Sequence, residues 1–77
     1  MNRQTKIVEI VRRVAGHPVD FAPEDSLFES GLLDSFSLTD LVTELESEFS
    51  VRIPDSDLNP RKFDSVARIR AYLDARL

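Results

Sequence analysis

Seventy-seven residues, 42% of them apolar and 31% charged, suit one small globular domain; chains of this size leave roughly 40% of their unfolded surface exposed and have little room for an enclosed active site. No cysteine is present, which excludes disulfides, thiolate metal sites and a nucleophilic thiol of the polypeptide's own. The net charge of −4 divides into +2 over residues 1–20, −9 over residues 21–57 and +3 over residues 58–77, so the acidic middle repels phosphate backbones and excludes nucleic acid as a partner, favouring basic protein surfaces.

From about Asn2 to Ala15, Ile7, Ile10, Val11 and Val14 recur at i, i+3, i+4 and i+7, the spacing of one buried helix face. Gly16-His17-Pro18 ends this helix, because Gly releases the chain and the residue before Pro disfavours helical geometry. No run approaches the ~20 apolar residues that cross a bilayer, so a soluble cytoplasmic protein without membrane insertion is expected. Residues 16–33 form a long connection with Pro18 and Pro23, pinned by Phe21, Leu27 and Phe28. Asp25-Ser26-Leu27-Phe28 can form a helical turn there, with Gly31 as the release point.

A second helix is expected from Asp34 or Ser35 to about Phe49, since Leu38, Leu41, Val42, Leu45 and Phe49 fall on one side at about 100° per residue. Its opposite side gathers Phe36, Asp40, Thr43, Glu44 and Ser47, with Glu46 and Glu48 on the flanks as solvating charges. Val51-Arg52-Ile53 alternates but runs into Pro54 with no strand to pair with, so it reads as an extended loop plugged by Val51 and Ile53. Asp55 to Leu58 reads as a short helical turn, and Arg61 to Phe63 as a candidate for another. Asp64 or Ser65 caps a last helix that turns Val66, Ile69, Leu73 and Leu77 inward, with Tyr72 beside them. The expected fold is all-α: a four-helix bundle of three longer helices and one short one, with a long first loop, residues 1–77 forming a single monomeric domain.

Asp34-Ser35 stands where the unpatterned loop becomes a patterned helix, with Asp34 as N-cap and Ser35 as first helical residue. Position alone favours plain capping. A reciprocal capping box is missing, however, because Ser37 stands where Glu or Gln would close it. Unpaired N–H groups and the positive end of the helix dipole also favour a phosphate attached nearby. Phe36 reads equally as a partner anchor or as a lid over the loop.

The run from Asp25 through Gly31-Leu32-Leu33-Asp34-Ser35-Phe36, followed by the acidic helix Leu38 to Phe49, resembles the acyl and peptidyl carrier protein superfamily. Ile53-Pro54, Phe63-Asp64-Ser65-Val66 and the closing Ile69 and Leu73 extend the likeness over essentially the whole chain. The resemblance implies a non-enzymatic carrier whose Ser35 receives a covalent 4′-phosphopantetheine from coenzyme A through a phosphopantetheinyl transferase that uses magnesium. The arm brings the missing thiol, and acyl or aminoacyl groups ride on it as thioesters. A loading ligase and a downstream synthase or transferase complete the implied partners, in fatty acid, polyketide or nonribosomal peptide biosynthesis. Leu33 and Phe36 depart from the fatty-acid form, which has a small residue before Asp and Leu or Met after Ser, and are closer to D-alanyl carrier proteins. Cofactor contact is thus expected at Ser35 and Asp34, partner contact at Phe36, Asp40, Thr43, Glu44 and Ser47, and no metal site.

Two other readings differ in class. A Ser–His–Asp hydrolase using Ser35, His17 and Asp34 fails because adjacent Asp and Ser side chains cannot flank one imidazole, and no oxyanion device surrounds the serine. A helical adaptor binding a basic partner through the Asp40/Glu44 face, without a prosthetic group, remains the alternative.

Overall fold

A computed structural model describes residues 2–16 and 20–77; the His17-Pro18 part of the expected helix end lies outside them. Helix α1 spans Arg3–Ala15, α2 spans Ser35–Phe49 and α3 spans Val66–Asp74, with 3-10 turns at Asp55–Asp57 and Pro60–Phe63 between the last two. The described chain is all-helical, in line with the expected carrier bundle, and two single turns take the place of one short fourth helix. Helix α1 packs against both α2 and α3.

Each helix begins where a side chain satisfies an orphan first-turn N–H. The Asn2 carboxamide accepts from Thr5 N–H at 2.8 Å, and the Ser65 hydroxyl accepts from Arg68 N–H at 3.1 Å. Gly16 closes α1 with φ +84°, where a side chain would be strained, and donates its N–H to Arg12 O at 3.1 Å. The core joins Ile7, Ile10 and Val11 of α1, Leu38, Leu41, Val42 and Leu45 of α2, and Val66, Ile69 and Leu73 of α3. Leu27, Leu33, Ile53 and Phe63 enter it from the connections. Leu77 does not: α3 ends at Asp74, so the inward stripe stops there and Leu77 is exposed.

The long first connection is held by polar bonds as well as by Leu27. The Asp64 carboxylate accepts from Ser26 Oγ at 2.8 Å and from Phe28 N–H at 3.2 Å. Its backbone carbonyl accepts from Leu27 N–H at 2.6 Å, and Pro23 O accepts from Ala67 N–H at 2.9 Å. Asp64 therefore ties the loop to the start of α3, while Ser65 does the capping. Phe21 and Phe28 contribute as half-buried packing. The turn expected at Asp25 to Phe28 lies later, over residues 27–31, and Gly31, at φ +83°, reverses the chain toward Leu33.

A second polar cluster closes the other end. Asp57, 9% exposed, accepts from Lys62 Nζ at 2.7 Å, Tyr72 Oη at 2.5 Å and an Arg76 guanidinium nitrogen at 2.6 Å. The bond from Lys62, followed by that from Tyr72, holds its carboxyl below the usual range. Burial, then the bond to Asp57, raises the Tyr72 phenol. The Tyr72 ring lies between Phe63, 5.1 Å away in a tilted contact, and the Arg76 guanidinium at 4.6 Å.

Replacing Asp64 with Ala removes both carboxylate bonds and leaves the part-buried Phe28 N–H without its acceptor. Asp64→Ala should cost about 1–3 kcal/mol, read as a melting temperature several degrees lower, with Ser26→Ala, which loses its bond to Asp64 and an exposed one from Glu29 N–H but leaves the Phe28 N–H its acceptor, costing less. Equal melting of Asp64→Ala and the parent would refute the clamp.

Candidate functional site

The corner between the first loop and α2 starts from a buried anchor. Leu33 is 2% exposed and donates its N–H to Leu27 O at 2.8 Å, which fixes where the chain leaves the loop. The next three residues, Asp34, Ser35 and Phe36, are all exposed. Asp34 has extended backbone geometry, and its Oδ1 accepts from Ser37 N–H at 2.9 Å and from Ser37 Oγ at 3.1 Å. Its carbonyl accepts the first helical bond, from Leu38 N–H at 3.2 Å. Ser37, the residue that breaks a reciprocal capping box, thus serves the cap as a double donor.

Ser35 is the first residue of α2. Its hydroxyl faces solvent, and among the described residues no side chain or backbone group is hydrogen-bonded to it. An alcohol in that position is reachable by a second protein and free to form a phosphodiester. The bond from Ser37 N–H, with that from its hydroxyl next, lowers the Asp34 carboxyl from its ordinary value, so Asp34 is ionised at neutral pH. The corner therefore combines the positive end of the α2 dipole with one fixed negative charge.

The outer face of α2 bears the expected partner residues. Phe36 is 85% exposed, and Asp40, Thr43 and Ser47 are exposed on the turns below it. A lid over the loop would cover the ring, so this exposure favours the anchor reading of Phe36. The Thr43 hydroxyl donates to Thr39 O at 2.9 Å. Glu44 differs from the others: it is half-buried and pairs with Arg13 of α1 at 2.8 Å. Glu46 also departs from its expected role as a solvating charge, because its Oε2 accepts from Ile53 N–H at 2.9 Å and holds the extended segment against α2. The register of α2 on α1 creates the first contact and the return of the extended segment along α2 the second, and no spacing within α2 could reveal either.

Among the described residues no group of three or more His, Asp or Glu side chains is placed to hold a metal ion, and no helix is long and apolar enough to cross a membrane.

Residues 5–73 match the family described as "Phosphopantetheine attachment site". The chain is 33% identical over 70 residues to the D-alanyl carrier protein of Leuconostoc citreum, covering 91% of this chain and 90% of that protein. It is 31% identical over 75 residues to the D-alanyl carrier protein of Leuconostoc mesenteroides, covering 97% and 96%. To the D-alanyl carrier protein of Streptococcus pyogenes serotype M1 it is 29% identical over 69 residues, covering 90% and 87%.

Because Asp34 has a depressed pKa in the folded state, the stability of its cap is fully present above the ordinary value of about 3.9. It is lost as pH falls through the lower folded value. Asp34→Ala should therefore melt several degrees below the parent at pH 7, with the gap narrowing below about pH 4. Asp34→Asn, which keeps a capping oxygen, should recover much of the loss. A gap that is constant with pH would show that the charge of Asp34 adds nothing to the cap.

Proposed function

The chain belongs to the family with a phosphopantetheine attachment site, and on that premise we propose that Ser35 takes the arm and that Asp34 positions it. The protein is a carrier and not an enzyme, and its prosthetic group is a covalent 4′-phosphopantetheine. When attached, the group supplies the thiol that a chain without cysteine lacks and allows cargo to be held as a thioester. The observation that carries the assignment is the exposed, unengaged Ser35 hydroxyl at the first position of α2, beside a carboxylate already committed to the cap.

The chain's own residues orient and present; they do not react with the cargo. Leu33 and the Asp64 clamp fix the base of the corner, and Asp34 fixes the first turn, so that the serine is offered at one place. A carrier works with partner enzymes, and here these are a phosphopantetheinyl transferase, a loading ligase and a downstream acceptor enzyme. The relatives are named for D-alanyl, and the cargo proposed for this chain is likewise aminoacyl, with D-alanine the first to test. The cytoplasm, where coenzyme A and activated amino acids are supplied, is the proposed compartment. Residues 1–77 are proposed to act as one monomeric carrier domain. The radius of gyration of 11.1 Å supports the single domain, since a compact chain of this length is expected near about 11.5 Å.

Partner contact is proposed at Phe36, Asp40, Thr43 and Ser47, with Glu44 as a secondary, already paired, charge. Phe36 is the anchor: a nearly fully exposed ring among polar neighbours gives up much water on docking. Asp40 is the charge one turn below it, suited to a basic rim and to rapid, reversible encounter.

Incubation with coenzyme A, magnesium and a broad-specificity phosphopantetheinyl transferase should add one phosphopantetheine to the intact mass, and Ser35→Ala should add none. An unmodified parent would instead favour the adaptor reading. Phe36→Ala should raise the apparent KM of the loading ligase for the carrier roughly tenfold or more, as loss of a binding hot spot does. Asp40→Asn should have a smaller effect that fades with salt, the behaviour of a rim charge. An unchanged KM for Phe36→Ala would move the docking anchor elsewhere.

A further inference from the structure

A four-residue spacing on α2 places Asp40 one turn below Phe36 and Glu44 one turn below Asp40, so two like charges are neighbours on the outer face and repel each other. Their surroundings differ. Glu44 is half-buried and accepts from the Arg13 guanidinium of α1 at 2.8 Å. Asp40 is exposed, and among the described residues nothing is bonded to its carboxylate. Helix α1 thus lends one positive charge to a face otherwise built by α2, and that charge cancels the second acid and not the first.

Between these groups lies a surface crevice of about 240 Å³, lined by Arg13, Val14, Asp40, Thr43 and Glu44. The half-buried Val14 gives it an apolar side. Thr43 donates its hydroxyl proton to Thr39 O at 2.9 Å, so that oxygen has only lone pairs left to offer. Two carboxylates and one guanidinium leave the crevice with one net negative charge. An apolar side for methylenes and free acceptors around a single unbalanced charge are complementary to one lysine or arginine side chain of another protein.

Resting on the reading of Phe36 as the docking anchor, we infer that this crevice receives one basic side chain of the loading enzyme and that Arg13 is the positioning residue for that contact. The partner's methylenes lie against Val14, and its charged head bonds Asp40. Arg13 acts through Glu44 and does not touch the partner: by masking Glu44 it leaves Asp40 as the uncompensated acceptor. The cation therefore settles one turn from Phe36 and not two, which fixes the register of the enzyme along α2 to within a helical turn of about 5.4 Å. The docking face spans two helices, and the part of it on α1 selects where a basic residue fits.

The apparent KM of the loading ligase for the armed carrier, measured with ATP and D-alanine at low ionic strength on variants whose melting curves show them folded, tests the inference. Arg13→Gln uncovers Glu44 and should lower KM roughly 1.5-fold to 5-fold, the range of a surface charge pair. Glu44→Gln uncovers Arg13 and should raise KM by a similar factor. Removing both charges in Arg13→Gln/Glu44→Gln should bring KM back close to that of the parent. Asp40→Asn should raise KM less in the Arg13→Gln background than in the parent, because the freed Glu44 takes over the cation. These differences should close at high salt. A loss of packing between α1 and α2 would move both single variants the same way. A KM that rises in both, or a double variant worse than either, would overturn the mask, and Phe36→Ala would still raise KM if the anchor is sound. A KM unmoved by Phe36→Ala would overturn the anchor and this inference with it.

Discussion

Everything that faces outward in this protein depends on how one carboxylate fastens an otherwise irregular segment. Residues 20–34 have no regular backbone ladder, and a buried loop with unpaired N–H groups is costly. Asp64 answers that cost at the junction before α3, taking Ser26 and Phe28 with its side chain and Leu27 with its carbonyl, while Leu27 itself fills the core. The corner at Asp34-Ser35 is the end of this fastened segment. Its position relative to α3 therefore follows from contacts made far from the serine in sequence.

Much of this architecture was legible in the sequence, because helices of a small bundle declare themselves through apolar spacing. The stripes of α1 and α2 match the buried residues closely, and the limits of α2 fall at Ser35 and Phe49, where pattern and cap place them. Asp34 and Ser35 were legible as a corner for the same reason: a cap followed by a periodic run marks a helix start. The exposure of Phe36 followed from its angle on the helix. Long-range polar contacts were not legible. Asp64 reads as a cap from local order, yet its partners are 36 and 38 residues away; Asp57 reads as a turn residue, yet its donors include Arg76. Glu44 and Arg13 meet only through the register of α2 on α1. At the end of the chain the periodic pattern runs on to Leu77, beyond the point where there is core left to cover.

The division of labour between scaffold and surface suits a protein that must meet several enzymes in turn. Core residues such as Leu41, Leu45, Phe63 and Ile69 are fully buried, and the polar clamps at Asp64 and Asp57 bind connections to that core. What the corner and the outer face of α2 present is small: a hydroxyl, an aromatic ring and a few charges on one helix. Rigid support beneath a sparse contact surface keeps the ordering cost of each encounter low. Weak, salt-sensitive charge pairing then favours quick release over long residence.

As the proposed anchor, the solvent-facing ring of Phe36 would also bind together the histories of proteins that never touch one another. Any enzyme that grips it needs a recess at a set offset from its own reaction centre, because the serine and the ring are adjacent on one rigid turn. Unrelated clients would therefore converge on the same recess, and a substitution of the aromatic would have to be answered in all of them at once.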